Sequence, residues 1–169
     1  MKYFVISGEP SGDLHGSKLM AGLKAEDPKA EFRFCGGDRM AEVGGREGLL
    51  LHYKEMSFFG FVTVLKNLKT IFGQIDRVKA AIAEFQPDVV ILIDYPSFNM
   101  RIAKWCKAQG IRVFYYIAPK VWASREGRIR KLKACVDKLF IVFPFEKPYF
   151  DAKGVEYEYG LNGHTGVVV

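Results

Sequence analysis

Val89-Val90-Ile91-Leu92-Ile93 is an unbroken aliphatic run that stops at a charge, Asp94, and a turn, Tyr95-Pro96-Ser97-Phe98-Asn99. A strand with one wet face alternates apolar and polar residues. This one does not, so Val89–Asp94 is read as a strand buried on both faces, as in a parallel sheet covered by helices. Working outward, further strands are expected at Tyr3–Ser7, Glu31–Cys35, Leu49–His52, Val113–Ile117 and Lys138–Phe143, with a weak one at Glu156–Tyr159. Helical patterns lie near Gly12–Glu26, Phe61–Phe85, Met100–Gln109, Ser124–Ala134 and Phe145–Lys153. Strand–helix alternation of this kind predicts an α/β fold with a doubly wound, mostly parallel, Rossmann-like sheet. In such sheets ligands sit beyond the carboxyl ends of the strands. The loops after Ser7, Cys35, Asp94, Ile117 and Phe143 therefore carry the interest.

The 169 residues suit one α/β domain, and 49% apolar with 26% charged residues excludes a disordered chain. No apolar run approaches the ~20 residues of a membrane-spanning helix. The opening Met1–Ser7 reaches Glu9 too soon for a signal peptide, so nothing in the sequence is expected to cross or leave through a membrane. Cys35, Cys106 and Cys135 form no CxxC pair and are read as reduced, buried thiols of a cytosolic protein. His15, His52 and His164 lack metal-ligand spacing, and no metal or cofactor is expected. The net charge of +6 is concentrated: Lys120–Lys133 holds six cations against Glu126, a local +5. A basic face of that size suits an anionic ligand or lipid headgroup; nucleic acid is not favoured, because the cations occupy one short helix with no recognised motif around them.

The first loop, Ser7-Gly8-Glu9-Pro10-Ser11-Gly12-Asp13-Leu14-His15-Gly16, matches neither GxGxxG nor a Walker sequence. Glu9 and Asp13 would repel a phosphate at the following helix start. Carboxylates there suit hydroxyl groups such as those of a sugar; the plainer alternative is that Ser11 or Asp13 caps the helix and Glu9 is solvated. In the second loop, Cys35-Gly36-Gly37-Asp38-Arg39-Met40, the glycine pair admits either a ligand or a packed neighbour, and packing is favoured. In the third, Asp94 lies at the sheet edge beside apolar walls, where desolvation would make it a better base; capping of the next helix is the competing role. The fourth, Tyr115 to Arg125, sets aromatics before guanidinium groups, a combination that fits a sugar face next to a phosphate or else a solvated helix face. Finally, Phe58, Phe59, Phe61, Val62, Val64, Leu65, Leu68, Ile71 and Phe72 make an apolar arc broader than one core contact needs, with Lys66 and Lys69 as its charges. That arc suits a membrane interface, a partner surface or a wide core face.

Five motifs in order resemble the N-terminal half of the lipid-A-disaccharide synthase family over residues 3 to 159: Ser7–Asp13, Gly36-Gly37 to Met40, Asp94–Asn99, Pro119–Ala123 and Phe143–Lys147. The resemblance implies the N-terminal, acceptor-binding domain of a GT-B glycosyltransferase that works by inversion without a metal. Such an enzyme transfers diacylglucosamine from its UDP donor to diacylglucosamine 1-phosphate. It further implies Asp94 as base and Glu9 as a second catalytic carboxylate. Implied substrate contacts are Ser11, Gly12, Asp13, His15, Gly36, Gly37, Asn99, Pro119, Lys120, Trp122 and Arg125. The implied membrane contacts are Phe58, Phe59, Phe61, Val62, Leu65, Lys66, Leu68 and Lys69, on an anionic surface at the cytoplasmic face of the bacterial inner membrane. The UDP donor would be bound by a C-terminal domain outside this chain, with residues 160–169 as an interdomain or tail segment; a homodimer is left open. Asp38 and Ser124 depart from the family, which commonly has proline and tryptophan there. A non-catalytic lipid-docking subunit that recruits a donor-domain chain is the alternative. A flavodoxin-like nucleotide binder is disfavoured by the acidic first loop.

Overall fold

The structure is a computed structural model that describes residues 1–56, 68–117 and 127–160, the side chain of Arg128 excepted. Its strands are β1 (Lys2–Ser7), β2 (Glu31–Gly36), β3 (Leu49–His52), β4 (Val89–Ile93), β5 (Val113–Tyr116), β6 (Lys138–Ile141) and β7 (Glu158–Tyr159). They form one sheet in the order β3-β2-β1-β4-β5-β6-β7, with every neighbouring pair parallel. The helices are α1 (Pro10–Glu26), α2 (Asp38–Gly44), α3 (Tyr53–Met56), α4 (Leu68–Phe85), α5 (Pro96–Ala108), α6 (Gly127–Cys135) and α7 (Glu146–Ala152). The expected doubly wound, Rossmann-like α/β fold is the one observed.

All five residues of β4 are buried, as an aliphatic run without alternation requires. Val90 and Leu92 join Phe4, Ile6, Val113 and Tyr115 in a core on one face of the sheet. Val89, Ile91 and Ile93 join Tyr3, Val5, Leu19 and Phe34 on the other. Each such side chain contributes roughly 1.5–3 kcal/mol of burial, so β4 ties both layers together.

Two short helices, α2 and α3, were not expected from the sequence, because neither is long enough to show a stripe. The long helix is described from Leu68 onward. Its core stripe starts at Ile75 and runs through Val78, Ala81 and Ile82, whereas Leu68 and Phe72 are 42% and 46% exposed. The forward part of the apolar arc, from Phe58 to Leu65 with Lys66, lies outside the described residues. Among the described residues no helix is long and apolar enough to cross a membrane. The three cysteines are buried and free.

The chain runs from β1 outward to β2 and β3, then returns past β1 to begin β4. The strand order therefore reverses between β1 and β4, where Ser7 pairs with Ile93. The loops after these two residues leave the sheet side by side at the switch point, the ordinary ligand position in this architecture.

Candidate functional site

Backbone strain collects at this edge. Asp94 (φ 44°), Tyr95 (φ 46°) and Ile117 (φ 62°) all adopt left-handed conformations directly after β4 and β5. A β-branched residue such as Ile117 is a true outlier there, and each such residue costs of order 1–3 kcal/mol. The strands therefore end one residue earlier than expected, at Ile93 and Tyr116, and Asp94 starts the turn.

Side chains from β5, from α5 and from the turn itself hold it in place. The Tyr115 hydroxyl donates to the Asp94 carbonyl at 2.5 Å, and Asn99 Nδ2 donates to the same carbonyl at 2.8 Å and to that of Ile93 at 3.2 Å. The Tyr95 hydroxyl donates to the Met56 carbonyl at 2.7 Å, tying the turn to the end of α3. Its ring stacks on Phe98 at 5.6 Å and covers Gly8, where a Cβ would come within 2.5 Å of the ring. Burial pushes the Tyr95 phenol above its ordinary value, and the Glu9 carboxylate pushes it further.

The first loop closes the other side. Ser7 is buried and its hydroxyl donates to the Glu9 carbonyl at 3.3 Å; Gly12 is required because a Cβ would stand 2.3 Å from Ser7 Oγ. Glu9 precedes α1 and is exposed, and its side chain makes no capping bond. Asp94 is half-buried. The pairing of Ser7 with Ile93 thus brings Glu9 and Asp94 to adjacent strand ends. Ser11 is exposed in the first turn of α1 and His15 is half-buried one turn on. Burial, and then the charge of Lys18, holds the His15 imidazole below its ordinary value.

Five residues expected to meet substrate make close contacts within the chain. Asp13 is 4% exposed and accepts the backbone N–H groups of Gly37 (2.7 Å), Arg39 (3.2 Å) and Met40 (3.1 Å). It caps α2 rather than its own helix, across 24 residues of chain. At Gly36 a Cβ would meet the Met40 sulfur at 2.3 Å. At Gly37 one would meet the Tyr53 ring at 2.4 Å and Asp13 Oδ2 at 2.8 Å. Both glycines are thus explained by packing. Asn99 is fully buried and its amide faces backbone carbonyls. Gly12, likewise, is accounted for by Ser7. Pro119, Lys120, Trp122 and Arg125 lie outside the described residues, as does His164.

Tyr95, Tyr115 and Glu146 lie in the quoted loops and motifs, but the sequence signals none of the hydrogen bonds they make here. Glu146 is 1% exposed at the start of α7 and accepts the N–H groups of Val142 (3.3 Å) and Phe143 (3.0 Å). Burial raises its carboxyl above the usual range, against the pull of those two bonds. Beside it Phe143 and Phe145 stack at 5.3 Å and are exposed. Of the basic segment, Arg130, Lys131 and Lys133 are exposed on α6.

A family model described as lipid-A-disaccharide synthetase matches residues 3–166. The lipid-A-disaccharide synthase of Trichlorobacter lovleyi is 40% identical over 154 residues, covering 91% of this chain and 40% of its own length. That of Myxococcus xanthus is 40% identical over 158 residues, covering 94% of this chain and 41% of its own. The chain thus spans about two fifths of the length of these curated relatives. Among solved structures, the UDP-GlcNAc 2-epimerase of Neisseria meningitidis superposes with a TM-score of 0.62 at 11% identity, over 92% of this chain and 44% of that one. The corresponding enzyme of Methanocaldococcus jannaschii gives 0.60 at 16% identity, over 94% and 45%. At these identities the likeness is one of fold. The strained Asp94 turn and the acidic first loop meet at the switch point in the motifs that carried the resemblance, and with a family match across nearly the whole chain, this protein belongs to the lipid-A-disaccharide synthetase family.

Proposed function

We propose that this chain is the acceptor-binding half of a lipid A glycosyltransferase. In this reading diacylglucosamine passes from UDP to the 6-hydroxyl of diacylglucosamine 1-phosphate with inversion. A half-buried aspartate in a strained turn, at the point where the strand order reverses, is the observation that carries the reading. Asp94 takes the hydroxyl proton as the oxygen attacks the anomeric carbon. The new C–O bond forms on one face while the bond to UDP breaks on the other, its electron pair leaving with the diphosphate. Glu9, on the neighbouring strand end, accepts sugar hydroxyls and keeps the approaching hydroxyl oriented. A second domain supplies the donor site, so this chain by itself is expected to form no disaccharide.

The exposed Leu68 and Phe72 support lipid contact, with Lys69 also exposed and the Arg101 guanidinium 5.1 Å from the Phe72 ring. Aromatic and aliphatic groups beside cations suit an anionic membrane surface. The basic face that continues onto α6 would meet the acceptor phosphate or the same headgroups. The reading places the domain at the cytoplasmic face of the inner membrane.

The test is Asp94→Asn in a protein where this domain is followed by a donor domain. Turnover should fall by roughly 10²–10⁴-fold, the usual scale for general-base help, with the fold intact. Near-normal disaccharide formation removes Asp94 from the role. Disaccharide formation by the 169-residue chain without any second protein overturns the division of labour.

A further inference from the structure

We propose that Tyr115 and Asn99 are positioning residues that lock the Asp94 backbone and so aim its carboxylate, an inference that rests on Asp94 being the base. Tyr115 is fully buried on β5, paired with Leu92 of β4, and its hydroxyl reaches the Asp94 carbonyl at 2.5 Å. A phenylalanine would fill the same space without a polar atom to satisfy, so packing alone does not explain the phenol. Asn99 gives the same sign more strongly. It is fully buried, and its Nδ2 donates to the carbonyls of Ile93 and Asp94 while its Oδ1 has no hydrogen-bond partner among the described residues. A buried acceptor left unpaired is a cost that leucine would avoid. The amide thus serves the turn at the expense of the core.

Two donors from different elements converge on one carbonyl, and that carbonyl belongs to a residue with φ 44°. With the carbonyl clamped and φ in the left-handed region, the direction in which the Asp94 Cα–Cβ bond leaves the turn is held, and with it the space its carboxylate can sweep. Transfer to a bound hydroxyl is sensitive to such a setting, since a misplacement of about 1 Å can cost on the order of 10²-fold. Partial release, with one donor remaining, should cost about tenfold.

Tyr115→Phe and Asn99→Leu are made separately in the two-domain protein, with Asp94→Asn and Val113→Ala alongside. Both positioning variants are expected to lose about tenfold in kcat with KM within about twofold, because ground-state binding does not use the Asp94 setting. In the 169-residue chain, NMR couplings and carbonyl shifts should show φ of Asp94 relaxing in both. Val113→Ala truncates a buried side chain on the same strand and should lose more stability while keeping kcat. If both variants keep kcat within twofold while Asp94→Asn abolishes it, the positioning role is wrong and the base stands. If Val113→Ala loses kcat equally, the effect is general softening and the proposal falls. Should Tyr115→Phe not fold, Asn99→Leu decides alone. Turnover by Asp94→Asn removes the base, and this inference with it.

Discussion

The two edges of the sheet are built on opposite terms. At the amino edge strand starts are stitched by aspartates: Asp88 accepts the Lys2 N–H at 2.7 Å, and Asp137 accepts the Val113 N–H at 2.8 Å while holding Lys107 at 2.6 Å. The amino terminus itself pairs with Asp27. Each of these contacts pairs an aspartate with a backbone N–H or a positive charge. Among the described residues three non-glycine residues at the carboxyl edge are held with positive φ, against one, Gln86 before β4, at the amino edge, and the buried Asn99 amide oxygen has no partner. Strain persists only where surrounding structure over-determines it; around Asp94 and Tyr95 the surroundings are Tyr115, Asn99, Met56 and Gly8, and the Ile117 N–H donates to the Phe140 carbonyl at 3.1 Å. One edge uses its side chains to pair strand starts, the other to hold backbone in uncommon conformations.

The contrast can be broken, and Asp94→Asn is the sharpest attempt. It should remove turnover by orders of magnitude while leaving the denaturation midpoint nearly unchanged. A large loss of stability instead would make Asp94 a structural residue like Asp137. Asp13→Ala comes next, because it sits on the carboxyl side yet belongs to the stabilising class. Three N–H groups would lose a buried carboxylate, and a stability loss of about 3 kcal/mol is expected in urea unfolding. A loss under about 1 kcal/mol would show that water replaces it readily.

Leu68→Ser with Phe72→Ser should weaken sedimentation with anionic vesicles several-fold at unchanged melting temperature, since both side chains are exposed. Unfolding would place them in the core after all, and unchanged sedimentation would remove them from lipid contact. The smallest effect is at Asp137. Burial raises its carboxyl, but the bonds from Lys107 and the Val113 N–H, with the charges of Lys107 and Arg112, outweigh burial and hold it below the ordinary range. Its contribution is therefore complete above the unfolded carboxylate value, about pH 4, and disappears as pH falls through the lower folded value. Asp137→Asn should flatten that acid limb of stability in pH-dependent urea unfolding; an unaltered limb would assign it to other carboxylates.

Much of this could be read before any coordinates. The Val89–Ile93 run determined two-faced burial because hydrophobic alternation is a local property with a fixed period. Strand–helix alternation then determined the parallel sheet and the loops to inspect, and the order of motifs determined the family. The position of Asp94 at the edge of β4 follows from the same pattern. Its left-handed backbone does not, since the hydroxyl that bonds its carbonyl comes from Tyr115 on the next strand. Asp13 was read as a ligand or a cap for α1, and only the folded chain brings the Gly37 turn against it. The exposure of Leu68 and Phe72 likewise follows from where α4 leaves the core. Periodicity and turn chemistry are written in neighbouring residues, whereas caps, clamps and strain are set by groups that only the fold brings together.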